Sequence, residues 1–346
     1  MNKGHSQSGA ALITVLFLVV ILSFIVLALG QTTTRAAQRA IATRAHAELY
    51  WRAVGLEALA KTALEAALQE SITLTAESPI LAAVYDVPME GANARFGFVD
   101  QTTCFNVNSL VRSEAAAGDS INGQSRAEMM SFAEKVGISG ADMDGLVSVI
   151  VDWIDADDFQ ESRGAEDNFY TALPTPYRTG GGILADVSEV RAMANVDEDF
   201  YQLLSPILCA HPDNEQTQIN VNLLQREHAP LLAAVLGPNV QASDAENIIQ
   251  ERPPSGYEDI NDFFQQEAVR AVQTSPRGAN NNNRGANGQN GGGEGPAGGG
   301  RLAVTSKYLT ARGVVEQSGM SLELNILFKL DGPEATVVSR RIGRRT

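Results

Sequence analysis

The sequence predicts an α+β protein in which a long N-terminal helix and an antiparallel sheet are separated along the chain by a large all-α insert. Three observations support this prediction. Helical periodicity runs without Pro or a turn cluster from residue 10 to residue 68. Alternating strand patterns occur at residues 95–100 and again after residue 306. The segment between them has the pattern of helices joined by turns, so strand segments bracket a helical middle.

The first half of the long helix is apolar enough to cross a membrane. Ala10 to Leu29 contains only Thr14 and Ser23 as polar residues, and a helix of that length spans about 30 Å, the thickness of the hydrocarbon core. A cleaved secretory signal would have a shorter apolar stretch followed by a small-residue cleavage site, and a buried core helix is the third alternative. Residues 35–68 continue as an amphipathic helix, so we expect a membrane helix that extends into a stalk.

The charges that flank this span oppose the usual orientation rule. Lys3 precedes the span, whereas Arg35, Arg39, Arg44 and Arg52 follow it. Positive residues normally stay on the cytoplasmic side of a membrane. Charge alone therefore does not predict that the C-terminal part lies outside the cytoplasm.

Four segments have the alternation expected of strands. The clearest is residues 321–329, in which Leu322, Leu324, Ile326 and Phe328 share one face. The full set of predicted strands is Arg95–Asp100, Lys307–Glu316, Ser321–Lys329 and Thr336–Ile342.

The helical middle contains a repeated pattern. Residues 104–111 read CFNVNSLV and residues 218–225 read QINVNLLQ, each with Asn-x-Asn before Leu. Asn is a good N-cap, because its side chain accepts hydrogen bonds from the free N–H groups of the first helical turn. The similarity is either a coincidence between two helix starts or the mark of two related subdomains.

The second of these subdomains resembles a SAM-like or helix-hairpin-helix unit. It has a helix, a Gly-containing turn, a second helix and a further turn at residues 257–259 before another helix. Such units often bind DNA through basic residues beside the hairpin. The neighbouring residues here are acidic or neutral, so packing against protein is favoured.

Charge and composition exclude several classes of function. The chain has 346 residues, and its 26 Lys and Arg against 41 Asp and Glu give a net charge of −15, which repels nucleic-acid phosphates. No nucleophile elbow, phosphate loop or paired-carboxylate motif occurs, so we expect no enzyme. Residues 277–300 hold 10 Gly and 6 Asn, and this composition predicts a flexible linker.

The most acidic stretch follows the predicted helices of the first subdomain. Aligned as an EF-hand from Asp155, it fails at Phe159 and at Gln160, which stands where the turn Gly belongs. The stretch is either a solvated loop or a site for a hard divalent cation, Ca²⁺ by preference. Its acidic residues are Asp152, Asp155, Asp157, Asp158, Glu161, Glu166 and Asp167.

The two cysteines lie at corresponding ends of the helical insert, one just before FNVN and one in PILCAHP. In an oxidising compartment Cys104 and Cys209 would form a disulfide that closes a loop of about 100 residues, worth roughly 4–5 kcal/mol in the chain-entropy model. In a reducing compartment they would remain buried thiols.

Several motifs, in one order along the chain, resemble the type II secretion system protein K family of minor pseudopilins. The resemblance covers nearly the whole chain apart from the Asn/Gly-rich linker, and it implies a pilin-like α+β domain with a large inserted α-domain. It also implies a single-pass protein of the Gram-negative inner membrane whose globular part lies in the periplasm. The motifs are SGAALITVLFLVV, YWRAVGLEALA, CFNVNSL, DWIDADDFQESRGAEDNFY, PYRTGGGILADVSEVRAM and INVNLLQREHAPLLAAVL.

The resemblance further implies processing of the N-terminus. The leader MNKGHSQSG is similar to a type III signal sequence, which prepilin peptidase would cut after Gly9 to leave Ala10 as an N-methylated first residue. The fifth mature residue is then Thr14, where pilins usually carry the Glu that pairs with a neighbouring N-terminal amine. Its absence fits a subunit at the filament tip, with minor pseudopilins I and J as partners and with H and the major pseudopilin G as further neighbours.

The family resemblance also favours calcium in the acidic stretch. Family members bind calcium through an Asp-x-Asp and a Gly-x-Glu-Asp segment, which implies ligands at Asp155, Asp157, Glu166 and Asp167. Asp158 and Glu161 are the next candidates.

The resemblance implies a division of the chain into six parts. They are the leader 1–9, a membrane or filament-core helix 10–30, a pilin-like domain 31–101 with 301–346, a first α-subdomain 102–215, a SAM-like subdomain 216–275 and a linker 276–300. Two alternative functions stay open, namely a type IV pilus minor pilin or tip protein, and a membrane-anchored helix-hairpin-helix protein that binds DNA.

Overall fold

The computed structural model describes residues 8–112, 120–274 and 299–343, with side chains from Leu12 onward. The predicted leader up to Gln7 and most of the predicted linker lie outside the described residues. Within them, a long N-terminal helix packs on an antiparallel sheet, and a helical region is inserted between two strands of that sheet. The predicted α+β class is confirmed at this level.

The described helices begin with α1, which is unbroken over 63 residues and about 95 Å, as the absence of Pro predicts. In chain order they are α1 (Ser8–Glu70), α2 (Pro79–Ala82), α3 (Gly123–Val136), α4 (Gly140–Ile154), α5 (Asp167–Thr171), α6 (Glu198–Leu204), α7 (Ala229–Leu236), α8 (Ala242–Gln250), α9 (Ile260–Gln265) and α10 (Glu267–Thr274).

The main sheet has five antiparallel strands in the order β1-β2-β7-β8-β9, and two short parallel pairs, β3 with β4 and β5 with β6, lie in the helical region. In chain order the strands are β1 (Val84–Met89), β2 (Ala92–Asp100), β3 (Phe105–Asn106), β4 (Leu208–Cys209), β5 (Ile219–Asn220), β6 (Leu302–Ala303), β7 (Tyr308–Gln317), β8 (Met320–Asp331) and β9 (Glu334–Gly343).

The main sheet contains every predicted strand and one further strand, β1, that the sequence pattern does not indicate; the short strands β3 to β6 of the helical region were not predicted either. The predicted segments correspond to β2, β7, β8 and β9, whereas β1 was not predicted. Asp86 and Pro88 interrupt its apolar pattern. Pro lacks an N–H to donate, and the edge position of β1 tolerates this.

The second half of α1 packs on one face of the sheet. Leu49, Leu56 and Leu64 are fully buried, and Phe98 and Phe328 of the sheet lie in the same core cluster. The sequence allows close approach at Gly313, where an added Cβ would lie 3.2 Å from Leu56 Cδ2 and 3.0 Å from the Arg95 carbonyl oxygen. Each fully buried Leu contributes about 1.5–3 kcal/mol, so this apolar stripe fixes the helix on the sheet.

The helical region leaves the sheet after β2 and returns at β7. The backbone N–H of Gln101 donates to the carbonyl of Tyr308 at 3.1 Å, so the two ends of the insert lie side by side. This end of the sheet lies far from the membrane-facing half of α1. Arg52, nearer the apolar half of α1, donates to the Glu90 carbonyl at the β1–β2 turn at 2.7 Å. Glu65, further along α1, accepts from the Ala335 N–H at the opposite end of the sheet. Tyr308 pairs with Lys329 at that same end.

The two Asn-x-Asn segments adopt matching local structures. Asn108 holds one residue by both backbone groups, accepting from the Leu184 N–H at 2.8 Å and donating to the Leu184 carbonyl at 2.9 Å. Asn222 holds Tyr257 in the same way, at 2.8 and 2.9 Å. Each segment also begins a short parallel strand pair, at β3 and β5. This shared geometry favours two related subdomains over a coincidence.

Candidate functional site

The acidic stretch forms a loop between α4 and α5. Asp155 directly follows α4 as its C-cap, and Glu166 directly precedes α5 as its N-cap residue. The edge of Trp153 meets Tyr170 at 5.3 Å between ring centroids, and both rings are buried. This contact holds the two ends of the loop together.

Three carboxylates of the loop turn inward. Asp152 is 1% exposed and Glu166 is 4% exposed, and Asp155 is half-buried. Among the described residues no hydrogen-bond partner reaches Asp152 Oδ2, Asp155 Oδ1 or Glu166 Oε1. Buried carboxylate oxygens without donors are costly, so this arrangement calls for a cation or for protons.

Burial raises the pKa of all three carboxyl groups. The pKa of Asp152 and of Asp155 rises to about 6, and that of Glu166 to about 7. Loss of water is the main cause in each case, and repulsion between neighbouring carboxylates raises the values further. A divalent cation would oppose both effects, because it supplies positive charge next to the carboxylates.

Gly164 leaves room for the carboxylate of Asp152. A Cβ at Gly164 would lie 2.0 Å from Asp152 Oδ2 and 3.0 Å from Oδ1. The distance to Oδ2 is a steric clash, so a residue with a side chain does not fit here unless Asp152 moves. The neighbouring Arg163 adopts a left-handed backbone conformation with φ of 74°, and its guanidinium reaches back to the Ala141 carbonyl at 2.8 Å. The loop is therefore shaped tightly around Asp152.

The structure places the predicted ligands unequally. Asp155 and Glu166 have free inward-facing oxygens, whereas Asp157 accepts from the Phe159 N–H at 2.8 Å. Asp167 instead faces Thr179, accepting from its N–H and hydroxyl, and pairs with Arg178 at 3.0 Å. Those partners lower the pKa of Asp167, mainly through the Thr179 N–H.

Asp152 is the residue that sequence reasoning did not select as a ligand. It lies in the last turn of α4 and belongs to the acidic stretch, but the Asp-x-Asp pattern begins three residues later. Only the burial of this Asp and its contact with Gly164 distinguish it from the solvated acids. Asp158 is exposed and Glu161 is half-buried, and the Glu161 N–H donates to Asp152 Oδ1 at 3.0 Å.

Cys104 and Cys209 are joined by a disulfide in the structure, with 5.8 Å between their Cα atoms. The bond lies beside the parallel pair of β3 and β4, where Asn106 is in register with Cys209. Among the described residues, Cys104, Cys209 and His211 bring potential metal-ligand atoms within 4.8 Å of one another. The disulfide occupies both sulfurs, so this trio is structural.

The N-terminal site residues lie in the first turns of α1. The helix includes Gly9 and Ala10, and the Thr14 side chain is exposed. One described helix is long and apolar enough to span a membrane, with a mean hydropathy of 3.3 in its most apolar window. Its apolar residues from Leu12 to Leu29 are exposed, which is consistent with a single-pass anchor.

Two family models match the helical insert. Both are described as type II secretion system protein K, and they match residues 103–213 and 219–282. Each matched segment contains one of the two Asn-x-Asn motifs.

Curated relatives match over most of their length. The chain is 31% identical to type II secretion system protein K of Pseudomonas aeruginosa over 273 residues, covering 76% of this chain and 77% of the relative. It is 27% identical to the protein of the same name from Pectobacterium carotovorum over 340 residues, covering 97% of each.

A solved structure shares the fold. One chain in the crystal structure of the GspK-GspI-GspJ complex from the enterotoxigenic Escherichia coli type 2 secretion system superposes with a TM-score of 0.70. The match covers 89% of this chain and all of that chain, at 24% identity.

Proposed function

This chain belongs to the type II secretion system protein K family, and we propose that it caps the pseudopilus tip together with minor pseudopilins I and J. It is a minor pseudopilin, a structural subunit rather than an enzyme. In this proposal the tip complex supports the export of folded periplasmic proteins across the outer membrane. The chain is anchored in the inner membrane of a Gram-negative bacterium before assembly, with its globular part in the periplasm. Prepilin peptidase cuts between Gly9 and Ala10, and Ala10 is then methylated.

The position of the insert carries this proposal. It emerges from the sheet at Gln101 and Tyr308, at the end far from the apolar half of α1. If the apolar half enters the filament core, the insert stands at the outer end, where it obstructs the addition of a further subunit. Thr14 supports the same placement, because its uncharged side chain cannot form an ion pair with a subunit above it.

The insert can be removed at a defined point to test the capping role. Asp100 and Leu309 are directly paired across β2 and β7, so a short Gly-rich turn replacing residues 102–307 would close an ordinary hairpin. In a strain lacking the wild-type chain, we expect the full chain to restore hydrolase secretion and the shortened chain to fail. Equal expression and membrane insertion of the two chains are the controls.

Equal secretion by both chains would refute the capping role. Restoration of surface pili instead of hydrolase secretion by the full chain would favour the type IV pilus alternative. The DNA-binding alternative has no support from charge, because the second subdomain has acidic residues in the first turns of α8, α9 and α10.

The pilin-like description of the helix and sheet and the SAM-like description of the second subdomain belong to the same proposal. The packing of α1 on an antiparallel sheet supports the former. The SAM-like description is supported by four short helices, α7 to α10, which lie within the 46 residues from Ala229 to Thr274. The Asn222–Tyr257 clasp of this subdomain joins the entry strand to the turn before α9.

We further propose that the acidic loop binds Ca²⁺ as a structural ion. The donor set fits, since Asp152, Asp155 and Glu166 offer inward-facing carboxylate oxygens and Ca²⁺ prefers several oxygen ligands at flexible spacing. Asp157 completes the proposed set from the loop edge. Asp167 has a different role here, because its oxygens are already used by Thr179 and Arg178.

Calorimetric titration of the metal-stripped full chain with Ca²⁺ tests this proposal. We expect saturable heat for the wild type, and a loss of affinity of at least tenfold for Asp152→Asn and Glu166→Gln. The matched control is Asp167→Asn, which also removes one negative charge and should keep near wild-type affinity. Absence of heat in the wild type would refute calcium binding, and loss of affinity in Asp167→Asn alone would refute this ligand set.

A further inference from the structure

The arginines that follow the apolar segment oppose the orientation rule, and the tip function does not use them. From Leu12 to Ala47 the charged residues are Arg35, Arg39 and Arg44, and the first acidic residue is Glu48. All three arginines are exposed. The positive-inside rule disfavours positive side chains on the side of the membrane that carries the globular domain. We therefore expect a negatively charged binding partner on that side.

The height of each arginine above the bilayer is set by the helix. The helix is unbroken from Ser8 to Glu70, so it continues through the interface. The hydroxyls of Thr32, Thr33 and Thr34 donate to backbone carbonyls of the preceding turn, at 2.8–2.9 Å. Measured from Leu29, where the apolar segment ends, Arg35 lies about 9 Å and Arg39 about 15 Å further along the helix axis.

The headgroup layer of each leaflet is about 5–8 Å thick. Arg35 therefore stands at its outer boundary, and long Arg side chains reach back toward the interface. Arg39 lies within about one Debye length of the headgroups. The two residues are four positions apart, so they project from the same side of the helix.

Arg44 differs in both height and pairing. It lies about 22 Å beyond Leu29, more than a Debye length from the headgroups. Its guanidinium already pairs with Glu48 at 2.9 Å. Within the described part of α1, Arg35 and Arg39 are therefore the cations at headgroup height.

We propose that Arg35 and Arg39 bind anionic phospholipid headgroups of the leaflet that faces the globular domain. This inference rests on the membrane anchor of the proposed function. Arg offers a planar set of donors that matches phosphate oxygens, and the lipid is the partner that the adjoining apolar segment brings to this height. The contact holds the chain in the bilayer before it enters the filament, where the headgroups are left behind.

The test uses the full-length chain reconstituted in nanodiscs of 70% phosphatidylcholine and 30% phosphatidylglycerol. Native mass spectrometry of the released protein measures the ratio of the two lipids that remain bound. We expect phosphatidylglycerol enrichment in the wild type. Each arginine near an anionic surface should contribute about fivefold, so R35Q/R39Q should lose enrichment by about 25-fold.

The matched control is Arg44→Gln, which removes the same charge from the same helix above headgroup height and should keep wild-type enrichment. No enrichment in the wild type, or unchanged enrichment in R35Q/R39Q, overturns the inference. Equal loss in Arg44→Gln also overturns it, because net charge rather than position would then be responsible. Weaker association with I and J in R35Q/R39Q, with lipid binding unchanged, would assign the arginines to protein contacts and overturn it as well.

Failure of the anchor itself is measured separately. Resistance of the wild type and of R35Q/R39Q to alkaline extraction from membranes shows that both chains span the bilayer. Extraction of the wild type would overturn the anchor and the lipid contact together, whereas loss of lipid selectivity with an intact anchor concerns the arginines alone.

Discussion

Replacing Cys104 and Cys209 together by Ala should lower the free energy of unfolding of the insert by about 4–5 kcal/mol. The two residues are 105 positions apart. In the chain-entropy model, closing such a loop removes about 16 cal/mol/K from the unfolded ensemble, or about 4.8 kcal/mol at 25 °C. Pairing of Phe105 with Leu208 and the side-chain contacts of Asn106 remain in place, so the folded state should change little.

The assay is urea unfolding of the detergent-solubilised full chain, followed by tryptophan fluorescence. Trp153 is 6% exposed within the insert, whereas Trp51 is 68% exposed on α1, so the signal change reports mainly on the insert. Wild-type protein reduced under denaturing conditions and refolded in reductant is the control, and it should match the double variant. A loss below about 1 kcal/mol, or a large difference between the variant and the reduced wild type, would refute the loop-closure reasoning.

Three further predictions concern other buried groups. Gly164→Ala should abolish the calcium response in calorimetry, whereas Gly182→Ala, where an added Cβ meets nothing within 4 Å, should preserve it; equal responses would refute the tight-loop argument. Glu128→Gln should destabilise the insert in urea by about 3–5 kcal/mol, because it leaves the buried guanidinium of Arg301, now paired at 2.6 Å, without its countercharge; a change below about 1 kcal/mol would contradict this. Burial lowers the pKa of His211 from 6.5 to about 4, so the unfolded chain takes up this proton first and the unfolding free energy should fall by about 3 kcal/mol from pH 6.5 to pH 4 through this group. The stability difference between the wild type and His211→Gln should shrink by that amount over this pH range, and a constant difference would refute it.

The main elements of the fold were predictable because their patterns are local. The periodicity of α1 and the alternation of Leu322, Leu324, Ile326 and Phe328 in β8 both reflect burial on one face, which the order of residues records directly. β1 could not be found in this way. Its sequence contains Asp86 and Pro88, and its strand conformation depends on pairing with β2.

The loop carboxylates show where sequence reasoning ends. The family resemblance implies ligands at Asp155, Asp157, Glu166 and Asp167, but it does not separate Asp152 from Asp167, which differ in their three-dimensional surroundings. Asp152 is buried against Gly164, and Asp167 is held by Thr179, twelve residues away. Acidic residues close in sequence have similar patterns whether they point inward or outward, so the distinction needs tertiary contacts.

The Asn-x-Asn repeat was recognisable in the sequence, but its role was not. N-capping accounts for Asn106, whose side chain accepts from the Asn108 N–H at the start of the short 3₁₀ turn. Asn106 also donates to the distant carbonyls of Asp213 and Glu215. The second Asn of each pair bonds both backbone groups of one distant residue, Leu184 or Tyr257. Asn108 and Leu184 are 76 positions apart, and Asn222 and Tyr257 are 35 positions apart. Contacts over such separations leave no local pattern in the sequence.

Co-purification is the most direct test of whether this chain assembles with minor pseudopilins I and J at the pseudopilus tip. The three full-length proteins are co-expressed, solubilised in detergent, and isolated through a tag on this chain alone. We expect I and J to elute with it as one ternary complex that survives size-exclusion chromatography. Elution of this chain alone, while I and J remain bound to each other, would refute assembly of the three proteins at the tip.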